Sequence, residues 1–135
     1  MLRLNFVDKG VVTVVAFVED KIMDERQIQE IGYQLFSLVD EFGKKFILLD
    51  FGNVKYFSSA CLGKLITLHK KCKTAGGMLV ICEMDAEGFR GNPDDSIYSV
   101  FEITKLNKLF NIHTKVPNDP GASFKAALKE FPEAA

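Results

Sequence analysis

The chain contains no tryptophan and only two histidines, His69 and His113, which leaves little material for a general base in a pocket. Its three cysteines, Cys61, Cys72 and Cys82, are an odd set with wide spacings, so neither a disulfide framework nor a Cys-x-x-Cys motif is present. His69 and Cys72 stand three apart and can share a helix face, but a zinc site needs two further ligands; small buried thiols and a partly exposed imidazole are expected instead, with no metal. No sign of charge dominates: 17 Lys and Arg face 18 Asp and Glu, a net charge of −1, without the basic footprint of a nucleic-acid binder. No apolar run approaches the roughly 18 residues of a spanning helix, and Met1-Leu2-Arg3-Leu4-Asn5 lacks a signal-peptide apolar block. A cytoplasmic protein without membrane or nucleic-acid partners is expected. The G-x-G-x-x-G, Walker A, H-E-x-x-H and G-x-S-x-G motifs are missing as well.

What is present suits one ordinary core: 135 residues, 47% hydrophobic and 26% charged, expected as a single domain over residues 1–135. Leu2, Leu4 and Phe6 alternate with polar neighbours, the period of a strand with one wet face. After the Lys9-Gly10 turn signal, Val11–Val18 is too continuously apolar for an exposed face and predicts a central strand, joined to the first as a hairpin. Asp24 and Gln27 have capping-box spacing ahead of Ile28, Ile31, Leu35, Leu38, Val39 and Phe42, a helical stripe that Gly43 can stop. Phe46–Phe51 and Met78–Cys82 predict buried strands on either side of a second helix, about Ser59–Ala75. A long polar stretch follows, with Glu83, Asp85, Glu87, Asp94 and Asp95 against a lone Arg90. Asp94 or Asp95 is expected to cap a third helix through Ile97, Val100 and Phe101. Leu106, Leu109, Phe110 and Ile112 suggest a turn leading into a short last strand, and a helix opened by Asp119-Pro120 closes the chain. The expected order is β-β-α-β-α-β-α-β-α, an α/β fold with a mixed, mostly parallel sheet of four or five strands and about four helices.

The passage from Ile47 to Leu65 carries the chemistry. A buried strand ends in Asp50, a loop runs through Val54-Lys55-Tyr56-Phe57, and Ser58-Ser59 meets a helix start. The plain reading makes one serine a cap, its hydroxyl accepting from an amide two or three residues on. The functional reading adds that free amides and the positive end of the helix dipole suit a phosphate there. Asp50 ends its strand where ligands of open α/β sheets gather, but as a catalytic carboxylate it has no obvious partner.

Leu48-Leu49-Asp50-Phe51 followed by Val54-x-Tyr56-Phe57-Ser58-Ser59-Ala60-Cys61-Leu62-Gly63 resembles the central motif of STAS domains, especially bacterial anti-sigma factor antagonists. Phe101-Glu102-Ile103-Thr104-Lys105-Leu106 with Leu109-Phe110 is similar to the family's helix-to-last-strand signature. The resemblance covers roughly Leu4 to Phe131. It implies a non-catalytic regulatory domain without a cofactor, which binds an anti-sigma factor that is also a GHKL-type serine kinase and is restored by a phosphatase. It also implies phosphorylation at Ser59, with Ser58 as a second candidate, and a partner surface drawn from Asp50, Tyr56, Phe57, Ser58 and Leu62. Departures from the family pattern are Ser58 in place of an Asp, Ala60-Cys61 in place of Ser-Gly, and a longer, more acidic connection after Glu83. One of Tyr56 and Phe57 should be buried, since neighbours in an extended segment point opposite ways. Cys61, beside a helix N-terminus, is a candidate for a lowered thiol pKa, although a small-residue packing role suits it better. Two further readings stay open: a sensor that binds a nucleotide or other small ligand near Asp50 without phosphorylation, and a small hydrolase using Asp50 and Ser59.

Overall fold

A computed structural model of the chain describes residues 2–88 and 91–132; Met1, Phe89, Arg90 and residues 133–135 lie outside the described residues. The elements are β1 (Leu4–Lys9), β2 (Val12–Phe17), β3 (Lys21–Ile22), α1 (Glu25–Asp40), β4 (Phe46–Asp50), β5 (Tyr56–Phe57), α2 (Ala60–Thr74), β6 (Met78–Met84), α3 (Ile97–Ile103), β7 (Asn111–Thr114) and α4 (Ala122–Leu128). Five strands form one sheet in the order β1-β2-β4-β6-β7. Within this sheet the β1–β2 hairpin is antiparallel, and β2–β4, β4–β6 and β6–β7 run parallel. The expected mixed α/β architecture with four helices is therefore the observed one. The two-residue strands β3 and β5, which the sequence pattern does not show, pair parallel to each other outside the main sheet.

The continuous apolar runs read in the sequence serve two opposite faces. Ile47 and Leu49 of β4, Leu79 and Ile81 of β6 and Val15 of β2 pack with α1, α2 and α3 in the larger core. Leu48, Val80 and Cys82, one residue out of phase, pack under Ala127 and Phe131 at the chain's end. Strands buried on both faces must be apolar throughout, which is why their period-2 signal vanishes. At the edge, β1 does not keep its predicted wet and dry faces: Leu4 is buried, while Leu2 and Phe6 are exposed, because no helix extends over the outer strand.

Local punctuation agrees with the sequence at some ends and moves at others. Gln27 Oε1 accepts the Asp24 N–H at 3.2 Å, the return half of the capping box that opens α1. Gly43 takes φ +66° just past the helix, the left-handed stop expected of it; Phe42, assigned to the apolar stripe, is exposed instead. The cap of α3 is Ser96, whose Oγ accepts from the Ser99 N–H at 3.1 Å, rather than Asp94 or Asp95, which belong to a 3-10 turn. The strand β6 runs on to Met84, so the polar connection starts later than Glu83. At α4 the helix begins after Gly121, φ +83°, since Asp119 and Pro120 are spent on the preceding turn.

Candidate functional site

Every link of the chain between β4 and α2 is tied down. Asp50 Oδ1 accepts the Gly52 N–H at 2.8 Å, the Asx turn that ends the strand. The Asn53 amide donates to the carbonyls of Phe17 and Val18. The Lys55 and Tyr56 N–H groups both donate to the Asp20 carbonyl, at 2.7 and 3.1 Å, and the Ser58 N–H donates to the Ile22 carbonyl at 2.8 Å. Beneath this loop Phe51 and Phe57 lie 5.4 Å apart, and Phe101 meets both rings within 6.3 Å. Aromatic burial below and backbone bonds along the side hold the two serines at a set height above the sheet.

Ser58 and Ser59 differ. Ser58 is half-buried, and its Oγ accepts the Ala60 N–H at 3.2 Å. It is the serine that meets an orphan amide of α2, two residues on. Ser59 occupies the N-cap position of α2 with helical backbone angles (φ −58°, ψ −26°), and its side chain makes no capping hydrogen bond. Helical angles at the cap swing the hydroxyl away from the amides that follow. Ser59 is exposed, so its hydroxyl is left open to solvent.

The other expected site residues divide by burial. Tyr56 is 55% exposed, with the Lys21 ammonium 5.9 Å from its ring centre. Phe57 and Leu62 are 7% and 5% exposed and belong to the larger core. The side-chain contacts expected of them with a partner go to the core instead, because β5 and the first turn of α2 press these faces onto the sheet. Beside Ser58 a groove of about 570 Å³ separates α1 from α2, lined among others by Met23, Ile28, Phe36 and Lys64. Lys64 Nζ donates to Gln29 Oε1 at 3.3 Å and lies 5.9 Å from the Phe36 ring centre. Sequence reasoning did not single out Met23, Gln29 or Lys64. Only the exposure of Met23, beyond the reach of periodicity, marks that wall.

The buried titratable groups do not make a reactive centre. Burial pushes the Cys61 thiol up to about 12, overriding any help from the helix N-terminus, so its role is small-residue packing. Cys72 is pushed up to about 12 for the same reason. His69, expected to be partly exposed, is buried against Phe110 with ring centres 5.5 Å apart. Burial first, and the Lys73 charge second, hold its pKa below the usual value, and its Nδ1 has no hydrogen-bond partner. Among the described residues no three His, Cys, Asp or Glu side chains come together as a metal site. No helix of the described residues is long and apolar enough to cross a membrane.

Residues 10–118 match the model of the STAS domain. The chain belongs to the STAS domain family. Bordetella bronchiseptica BtrV, named as a candidate anti-sigma factor antagonist, is 26% identical over 107 residues, which is 79% of this chain and 83% of that protein. Among solved structures, a Thermotoga maritima protein also described as a candidate anti-sigma factor antagonist superposes with a TM-score of 0.69. Its identity is 16%, over 95% of this chain and 93% of its own. The anti-sigma factor antagonist SpoIIAA of Bacillus superposes in its unphosphorylated form with a TM-score of 0.62 and 8% identity, over 94% of this chain and 96% of its own. Its phosphorylated form gives 0.61 and 11%, over 94% and 97%. This STAS domain thus resembles anti-sigma factor antagonists in sequence and in fold.

Proposed function

We propose that this STAS domain, taken as one unit over residues 1–135, is a non-catalytic cytoplasmic antagonist that docks on an anti-sigma factor with serine-kinase activity and is switched off by phosphorylation of Ser59. The observation that carries the reading is the exposed, uncapping hydroxyl of Ser59 at the start of α2. A kinase needs a hydroxyl it can reach, and Ser58 is engaged with the Ala60 N–H. The likeness to SpoIIAA, solved in phosphorylated and unphosphorylated forms, supports the same reading. The docking surface combines Ser59, Ser58, the exposed ring of Tyr56 and the α1–α2 groove, with Asp50 shaping the loop through Gly52 rather than meeting the partner directly.

The switch is electrostatic. Phosphorylation adds about −1.5 to −2 charge at pH 7 and three acceptor oxygens. The N-terminus of α2 tolerates that anion, whereas an interface that had covered a neutral hydroxyl must now desolvate it. A GHKL-type kinase and a phosphatase would complete the cycle. Incubation with a cognate anti-sigma kinase and ATP is expected to add one phosphate, located at Ser59 by mass spectrometry, and Ser59→Ala is expected to accept none. Full modification of the alanine variant would overturn the assignment. A nucleotide-sensor role fits less well, because the cleft beside Asp50 also holds Glu83 and two carboxylates repel phosphates.

A further inference from the structure

One helix, α4, covers the face of the sheet opposite α1 and α2, and it is too narrow for five strands. It lies across β4, β6 and β7. Three strands about 4.8 Å apart span about 10 Å, the width of one helix, so the β1–β2 hairpin projects beyond it. Val14 of β2 is only partly buried against the smaller core. Its register partner Val7 is 55% exposed, and Val11 at the turn is 41% exposed. Between that turn and the last turn of α4 the two layers part and leave an apolar cleft of about 790 Å³.

Val12 and Phe131 are the buried part of the lining, with Gly10, Val11, Leu128 and Pro132 around them. None of these six residues carries a polar side-chain atom. The rest of the lining is Lys9, Lys125 and Lys129. Lys125 and Lys129 stand four apart at the end of α4 and share a face, and Lys9 ends β1 across the cleft. All three are exposed, and among the described residues no hydrogen bond or ion pair engages their ammonium groups. The acids beside them in sequence are committed elsewhere. Asp8 accepts from Thr13 and pairs with Lys44, and Glu130 is held by Asn111 and His113.

Three cations without a counter-charge around an apolar hollow repel one another, in a chain whose net charge is −1. Charge complementarity therefore asks for a negative group at the rim, and the lining asks for hydrocarbon inside. A nucleotide or a peptide would bring polar atoms into the hollow that no side chain there can pair. Ammonium groups on flexible stems receive one small anionic head without the fork geometry of arginine. We propose that the cleft binds the acyl chain of a free fatty carboxylate, its head group held among Lys9, Lys125 and Lys129. The site lies across the sheet from α2 and shares no residue with the Ser59 surface, so failure of either reading leaves the other standing.

Amide spectra of the isotope-labelled full chain, titrated with decanoate below its micelle concentration, test the site. Saturable shifts are expected from Lys9 to Val12 and from Leu128 to Phe131. Butyrate, which keeps the head and loses most of the chain, is expected to bind about tenfold more weakly or worse. Decyltrimethylammonium, the same chain under a cationic head, is expected to lose about as much. Val11→Asp sets a carboxylate at the mouth on an already exposed residue, and it should weaken decanoate binding about tenfold or more. The double variant Lys125→Gln, Lys129→Gln should do the same. No saturable shift with decanoate would overturn the proposal, as would equal affinity for decyltrimethylammonium or unchanged binding in either variant. Shifts that arise only with phosphatidylglycerol vesicles would assign this face to a membrane surface, and shifts that grow with protein concentration alone would assign it to a second copy of the chain. Either result would replace the fatty carboxylate.

Discussion

Adjacent serines with the same chemistry do different work because one hydroxyl meets an amide and the other meets water. Ser58 Oγ accepts from Ala60, so Ser58→Ala is expected to cost about 0.5–2 kcal/mol, as other lost caps do. Ser59→Ala loses no capping bond and should stay within about 0.5 kcal/mol of wild type. Urea unfolding of the pair measures the contrast, and a larger loss at Ser59 would contradict the assigned geometry. His69 supplies a second residue-scale prediction. Its folded-state pKa lies below the ordinary 6.5, so the unfolded chain takes up this proton more readily than the folded one. The associated stability is complete above about pH 6.5 and drains away as pH falls through the folded pKa. Unfolding midpoints from pH 7 down to pH 5 should fall more steeply for wild type than for His69→Leu. Parallel curves would show that the imidazole protonates without penalty.

Elements here are positioned by a few close approaches of backbone to backbone. Gly77, between α2 and β6, is one: a Cβ there would stand 2.0 Å from the Lys45 carbonyl oxygen, the same oxygen that accepts the Met78 N–H at 2.9 Å. Gly77→Ala must therefore push β6 away from the start of β4, at a cost of about 1–3 kcal/mol or more. Gly43→Ala, at φ +66° with open space around it, carries only the left-handed penalty of about 1–2 kcal/mol. Thermal unfolding of the two variants should rank Gly77→Ala as the more damaging, and the reverse order would mean that the β4–β6 approach is slack.

At the scale of the whole molecule, the sheet is a platform and the proposed switch is a change at its surface. The loop carrying Ser58 and Ser59 is bonded to Asp20 and Ile22 and seated on the aromatic core, so a new charge at Ser59 has no soft element to displace. Ser59→Asp is expected to weaken binding to a cognate anti-sigma kinase by about a hundredfold, or ~2.7 kcal/mol, with amide shifts confined to the start of α2 and the rim of the α1–α2 groove. Calorimetric titration gives the first quantity and an amide spectrum the second. Shifts spreading through the sheet would replace a rigid surface switch with a conformational one.

Sequence alone determined the order of the main-sheet strands and the helices, the two-faced burial of the central strands, the start of α1 and the presence of serines where α2 begins. These features rest on local periodicity and on chemistry within one turn, which a linear reading contains. It also carried the STAS motif from Leu48 to Gly63. Tertiary structure decided which serine hydroxyl stays free, because that depends on the Ile22 carbonyl fixing Ser58 and on the backbone angles of Ser59. It turned Phe57 and Leu62 into the core while leaving Tyr56 outside, and it buried His69 under Phe110. Only the fold brought Glu83 beside Asp50. Exposure in a loop is set by whichever distant segment covers it, and hydrogen bonds made across thirty or more residues leave no trace in the spacing of their neighbours.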